Sequence, residues 1–411
     1  MPHLLLFTAT TGYQTRMFAD TSRELGIPFT LATDRCDSLD DPWRGQSIAV
    51  KFHDPIGHLD ELLRAHQRTP FTGVIALGDR TTLLASLFAE RAGIPFHPPH
   101  ACEAAGNKFL AKERFRAAGL PQPAYQRFPA DAAPIDPPFP CVVKPLALSG
   151  SRGVIRANNA AELDAALHDL RKLLTAADLQ RHRDNHRFLQ CEEFLPGREF
   201  AIEGVVTNGQ LRVFALFDKP DPLDGPYFEE TIYVTPSREP QHVQDEILET
   251  VRRGVQALGL CHGPIHAEVR YNPRGTYLLE IAARPIGGYC ARVLRFTGEV
   301  SLESVLVRHA AGEDIAGIAR TPGASGVMMV PIPKAGIYRG VNGVQQAQAV
   351  TGITEVRLAA VPGQRLKTFP EASSYAGFLF AHAPKSEQVE AALREAHSHL
   401  RFEIATELET R

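Results

Sequence analysis

The sequence predicts a chain of mixed α/β and α+β units that opens with a doubly wound α/β domain and closes with an α+β unit. Three observations carry this prediction. Short apolar runs alternate with helical stretches over residues 3–100. The proline-rich stretch Pro134–Pro140 sets that region apart from a smaller strand–loop–helix unit. After about residue 320 the alternation restarts.

Within the first region, Leu4–Phe7, Phe29–Ala32, Ile48–Phe52 and Val74–Leu77 have the continuous apolar character of buried parallel strands. Between them, Met17, Phe18, Thr21 and Leu25 recur at helical spacing, as do Leu83, Leu84, Leu87 and Phe88. Gly26-Ile27-Pro28 and Gly93-Ile94-Pro95 each stop a helix with glycine and resume with proline. Strand–helix–strand alternation of this kind builds a doubly wound sheet. A helix is expected over Asn107–Ala118, closed by Gly119, and Pro121, Pro123 and Pro134–Pro140 read as loop. Residues 141–205 predict strand Cys141–Lys144, a Gly/Ser loop, strand Val154–Arg156, helix Ala160–Thr175 and strand Phe188–Phe194. Residues 198–310 predict further strands, one helix with Ile247, Val251, Val255 and Leu258 on a face, and a glycine-rich turn. The last helix aligns Val389, Ala392, Leu393, Ala396 and Leu400.

Composition removes several classes of function. The 411 residues carry a net charge of −3, which gives no global attraction to nucleic acid or an anionic membrane. No run reaches the ~18 to 20 apolar residues of a membrane-spanning helix. The opening MPHLLLFTATTG has an apolar run too short for a secretory signal and no basic segment before it, so a cytoplasmic protein is expected. None of the cysteines, Cys36, Cys102, Cys141, Cys191, Cys261 and Cys290, forms a C-x-x-C pair. Scattered thiols fit a reducing compartment. Cys261, His262 and His266 lie close together but cannot assemble four convergent zinc ligands.

Five groups of residues carry candidate chemistry. Lys108 opens a helix, and Lys144 ends an apolar strand where its ammonium would project into a cleft; Lys108 alone reads better as a surface lysine. Ser149, Gly150, Ser151 and Gly153 belong to SGSRGV, whose glycines let backbone N–H groups approach a phosphate, although most such loops are turns. The segment QCEEFLPGREF joins two apolar stretches through Pro196-Gly197, as a hinge between lobes or a polar hairpin would. In HAEVRYNPRGTYLLEIAARPIGG, Glu268 and Glu280 stand twelve residues apart across the Asn272–Gly275 turn, so a hairpin would bring both to one face. Apolar Val269, Leu278, Leu279 and Ile281 around them predict half-buried acids in need of a cation, and two carboxylates suit Mg²⁺. Arg284 follows, with a fork that matches phosphoryl or carboxylate oxygens.

In this order, Lys108, Lys144, SGSRGV, EEFLPGREF, HAE and LEIAARPIGG resemble the motifs of the ATP-grasp superfamily, over about residues 100–310. The chain looks most like the carboxylate–amine ligases, such as L-amino acid ligases, with biotin carboxylase and D-alanine–D-alanine ligase more distant. The resemblance implies an ATP-grasp fold with an N-terminal α/β domain (1–105), an N-lobe with a small lid subdomain (106–195), a C-lobe with the metal site (196–318) and a C-terminal α+β domain (319–411). It also implies that Lys108 and Lys144 bind ATP phosphates and that residues 149–153 form a lid. Glu192, Glu193 and Leu195 would line the adenine hinge, and Glu199 would meet the ribose. Glu268 and Glu280 would bind Mg²⁺, with Mn²⁺ an admissible substitute, and Arg284 would stabilise the transferred phosphoryl. Many members have an asparagine two residues after the second glutamate; here that position is Ala282, which leaves the number of metal ions open.

The activity so implied is ATP-dependent joining of a small-molecule carboxylate to an amine through an acyl phosphate, releasing ADP and phosphate. A homodimer is left open, as are a carboxylase-type or thiol-forming enzyme of the same fold and a non-catalytic nucleotide-binding protein. Leu216–Pro236, with Asp218, Lys219, Asp221, Asp224, Glu229 and Glu230, reads equally as an acidic cover over an amine site and as a surface loop.

Overall fold

The computed structural model describes residues 2–9, 13–34, 46–175, 186–287, 289–369 and 374–406. The first sheet has strands β1 (Leu4–Thr8), β2 (Phe29–Thr33), β3 (Ser47–Ala49) and β4 (Gly73–Leu77), ordered β3-β2-β1-β4 and parallel throughout. Side chains alternate between the two faces of a strand. In β1 this sends Leu5 and Phe7 into a core with residues of α2 (Leu59–Arg68) and α3 (Asp79–Ala92). Leu4 and Leu6 enter a second core with Phe18 of α1 (Tyr13–Leu25). Helices therefore cover both faces, as the alternation predicts. The expected strand Ile48–Phe52 is shorter: after Ala49 only the Val50 N–H still bonds to Thr33, and the chain turns at residues 51–54.

The helices α4 (Pro99–Ala105) and α5 (Lys108–Ala117) lead to a second sheet, with order β5-β8-β6-β7 and antiparallel pairing. Its strands are β5 (Tyr125–Pro129), β6 (Cys141–Pro145), β7 (Ile155–Ala157) and β8 (Phe188–Glu193). The helix α6 (Ala160–Leu174) closes this small core with Leu163, Leu167, Leu170 and Leu173. The strand β5 lies in a segment expected to be loop. It is an edge strand, the one place in a sheet where the flanking prolines are tolerated.

The third sheet dominates the molecule. Its first five members are β9 (Arg198–Thr207), β10 (Gln210–Lys219), β11 (Ile232–Thr235), β12 (Gly263–Asn272) and β13 (Gly275–Ala282), ordered β13-β12-β9-β10-β11. The sheet then continues through Ala324–Val330, Gly377–Ala383 and Ile353–Leu358 to eight strands. Hydrogen bonding thus runs without interruption past residue 318, where a domain boundary was expected. The helix Gln241–Leu258 lies on one face, with Ile247, Val251, Val255 and Leu258 fully buried. A second helix in this stretch, Leu302–Ala310, has no counterpart in the sequence reading. It is buried nearly all round, Glu303 and His309 included, so it has no polar face to make an amphipathic stripe. Among the described residues, no helix is long and apolar enough to cross a membrane.

Candidate functional site

The two glutamates of the β12–β13 hairpin face each other: Glu268 and Glu280 are direct cross-strand partners, and the register shifts immediately after Glu268. Both are partly buried, as the surrounding apolar residues require. They line a cleft between the second and third sheets. Lys108, Lys144, Ser149, Gly150, Ser151, Glu192, Glu193, Leu195, Glu199 and Arg284 line the same cleft. Residues expected to act together are therefore brought together from α5, β6, the Gly/Ser loop, β8, β9, β12 and β13.

Local structure explains several of these placements. The Asn107 side chain accepts from the Phe109 and Leu110 N–H groups at 3.1 and 3.2 Å and so fixes the start of α5. That start sets Lys108, whose Nζ donates to Leu148 O at 2.6 Å and lies 2.8 Å from Glu280 Oε2. In the loop, Gly150 and Ser151 adopt φ of 63° and 54°, which turns the chain sharply over the cleft. Gly153 does not line the cleft. It is buried at φ 75°, where a Cβ would lie 3.0 Å from Leu170 and Leu173 of α6, so it packs the loop onto the lid subdomain.

Each cation that lines the cleft already touches an acid. Lys144 Nζ donates to Glu192 Oε1 at 2.5 Å, and Lys112 Nζ reaches Glu192 Oε2 at 3.3 Å. Burial alone would raise the Glu192 carboxyl; the combined Lys112 and Lys144 charges outweigh it and hold the group near 2. For Lys112 burial wins, and its ammonium is lowered to about 8. The Glu192 carboxylate was expected at the adenine hinge, yet it is filled by these lysines. Likewise Glu199, expected at the ribose, accepts from Lys219 at 2.8 Å and from Arg270 Nε at 2.9 Å. Glu193 is held by Arg274 at 3.1 Å, and Leu195 offers its carbonyl to Arg270 at 2.6 Å.

Lys219 belongs to the segment that reads equally as an acidic cover over the cleft and as a surface loop. It is buried on β10, with its Nζ 2.8, 2.7 and 3.6 Å from Glu199, Glu230 and Glu268. The oxygens of those three acids lie within 4.8 Å of one another, a spacing that a metal could use. The ammonium among them already balances their charge. The other acids of 216–236 are largely structural: Asp218 accepts from Arg238, and Asp221 from Thr231 and Arg394. His266 stands beside Glu268 at 3.6 Å, and its Nδ1 is 3.2 Å from the fully buried Glu203. Burial would lower the imidazole; hydrogen bonds to Glu203 and Glu268 raise it to about 9.

Arg284 reaches back to the first domain. Its Nε and Nη2 donate to the two carboxylate oxygens of Asp79 at 3.0 and 3.1 Å, and Nη1 donates to Pro285 O at 3.2 Å. Sequence reasoning missed Asp79, Lys112 and Glu203 as members of the site. Only the strand-end position of Asp79, after VIALG, signalled that it could face a cleft.

Residues 137–293 match the family model described as an ATP-grasp domain, and residues 328–405 match L-amino acid ligase C-terminal domain 2. The chain contains an ATP-grasp domain. A relative in Sinorhizobium fredii, an uncharacterized protein y4rH, is 23% identical over 98% of this chain and 84% of its own length. Carnosine synthase 1 of Gallus gallus is 28% identical over 56% of this chain, a match that spans 26% of that longer protein. The crystal structure of an L-amino acid ligase from Bacillus licheniformis superposes with a TM-score of 0.83 at 23% identity, covering 99% of both chains, a likeness of fold. The ATP-grasp domain match contains Lys144, the Gly/Ser loop and both hairpin glutamates. Lys108 and Asp79 lie before it.

Proposed function

We propose that this ATP-grasp ligase activates a small carboxylic acid as an acyl phosphate and joins it to an amine, at least one of the two being an amino acid. The observation that carries the proposal is the cross-strand pair Glu268–Glu280 set in one cleft with Lys108, Lys144 and Arg284. The description of the C-terminal match supports the amino acid.

A carboxylate is a weak electrophile because its charge is shared between two oxygens. In the proposed reaction a carboxylate oxygen attacks the γ-phosphorus of ATP, and the bond from that phosphorus to the ADP oxygen breaks. The amine nitrogen then attacks the acyl carbon, phosphate leaves, and the nitrogen loses a proton. The tasks of the protein are alignment and charge neutralisation. Lys108 and Lys144 would hold phosphate oxygens, and Arg284 would meet the transferring group. Ser149, Gly150 and Ser151 would close over the phosphates and keep water from the acyl phosphate. The donor set fits a hard cation: two opposed carboxylates suit Mg²⁺ or Mn²⁺, which would neutralise phosphate oxygens, while Ala282 offers no donor. Glu193, Leu195 and the apolar Val142, Phe194 and Leu279 would form the walls for the adenine. Glu192 and Glu199 would act through the cations they hold.

The test is product analysis over pairs of amino acids with MgATP. ADP and phosphate are expected in equal amounts with the amide, and hydroxylamine in place of the amine should yield a hydroxamate. AMP and pyrophosphate would refute the acyl-phosphate mechanism. Bicarbonate-dependent turnover without an amine would refute the ligation.

A further inference from the structure

The salt bridge between Asp79 and Arg284 ties the first domain to a residue that lines the cleft. Asp79 is the first residue of α3, at the carboxyl end of β4, and Gly78 makes the turn before it at φ 88°. Arg284 lies 205 residues on, just beyond β13. Both side chains are largely covered, at 17% and 14% exposure. Asp79 occupies the side of the guanidinium formed by Nε and Nη2, and Pro285 O takes one Nη1 proton. Arginine has five N–H donors. The two that are left, one on each terminal nitrogen, have no partner among the described residues.

A carboxylate against this arginine makes little sense if the arginine supplies charge alone, because the acid cancels that charge. It makes sense if direction matters: a guanidinium held along one edge has only one orientation for its remaining donors. We propose that Asp79 is a positioning residue that aims the remaining N–H donors of Arg284 at the group transferred from ATP. The inference rests on the proposed function. Asp79 also stands next to the parts that must move together. Burial would raise its carboxyl, but Arg284 foremost, then Lys108 and a hydrogen bond from the Ser149 hydroxyl of the Gly/Ser loop, together hold it low. The first domain thereby sets the angle of a residue carried by the third sheet.

An acid in the first turn also suits the helix dipole, and a double-mutant cycle separates that structural role from positioning. Turnover is read with the amino-acid pair that releases phosphate from MgATP fastest. D79A should lower kcat about tenfold or more while the affinity for MgATP changes less than about threefold. D79E should recover part of the loss. In an R284K background, where no guanidinium exists to aim, adding D79A should change kcat less than about twofold. An equal loss in both backgrounds, or one confined to the KM for ATP or to Tm, overturns the proposal. If D79A does not fold, D79N, which keeps the volume, carries the same cycle. A parent chain that releases no phosphate with any pair refutes the proposed function instead. Binding of MgADP with and without fluoroaluminate, a mimic of the transferring phosphoryl, then decides for Asp79. D79N should weaken only the fluoroaluminate-dependent part, by about tenfold; equal weakening of both overturns the positioning role.

Discussion

At the scale of single residues, Glu280 is the most direct test of the cleft. Its carboxylate faces Glu268 and holds Lys108. E280Q keeps the volume and the strand but removes one charge from a site built to neutralise phosphate. Turnover should fall by about 100-fold or more, with Tm within about 3 °C of the parent, since the loss falls on transition-state charge and not on packing. Near-parental turnover would remove Glu280 from the site. Lys144, Glu268 and Glu280 were legible as cleft residues because their neighbours mark a strand end and a hairpin, and Lys108 only because the ordered motifs resemble those of the ATP-grasp superfamily. The partners of these residues were not legible. Lys219 looked like part of a polar segment, and its burial among three acids depends on β9 and β12 lying beside β10. Nothing local to LFDKPDP encodes that.

At the scale of elements, the short segment between α3 and α4 is joined to the start of β12 through one ring. His97 is buried, and its Nδ1 accepts the N–H groups of Cys261 and His262 at 3.2 and 3.3 Å. The proton must then be on Nε2, which donates to Pro264 O at 3.0 Å. Burial, aided by the neighbouring His262 and His309, lowers the imidazole from 6.5 to about 4. The native ring therefore resists a proton that the unfolded chain accepts below about 6.5. Stability from this group is present at neutral pH and is lost as pH falls from 6.5 toward 4, by roughly 2 kcal/mol between about pH 7 and pH 5. H97Q, which keeps an acceptor and a donor but does not titrate, should flatten that fall in chemical denaturation; an unchanged slope would show that His97 does not set it. Elements with a clear pattern were legible, the continuous apolar run of β1 and the periodic helix Gln241–Leu258 among them. The strand β5 and the helix Leu302–Ala310 were not: prolines disguise the first, and burial on every side erases the stripe of the second.

At the scale of the whole molecule, the eight-stranded sheet joins what the sequence divides. The restart after residue 320 is real as a pattern, but Ala324–Val330 pairs with β11 from Ile232 to Thr235. Composition cannot show that two segments share a ladder. A chain ending at residue 318 would leave β11 as an open edge and uncover Ile232 and Val234, which belong to the core of the C-terminal region. Such an edge templates aggregation. The truncated chain should elute as aggregate in size-exclusion chromatography; a monodisperse product melting within about 5 °C of the parent would make 319–411 dispensable to the fold. The pairing of charges in the cleft has a consequence of another kind. Lys108, Lys144, Arg270 and Arg284 each come with an acid already in contact, so the cleft projects little field into solvent. An incoming polyanion is not drawn from a distance, and its encounter rate should depend only weakly on ionic strength. Selection then happens at contact, where the phosphates must share each cation with the acid that already holds it.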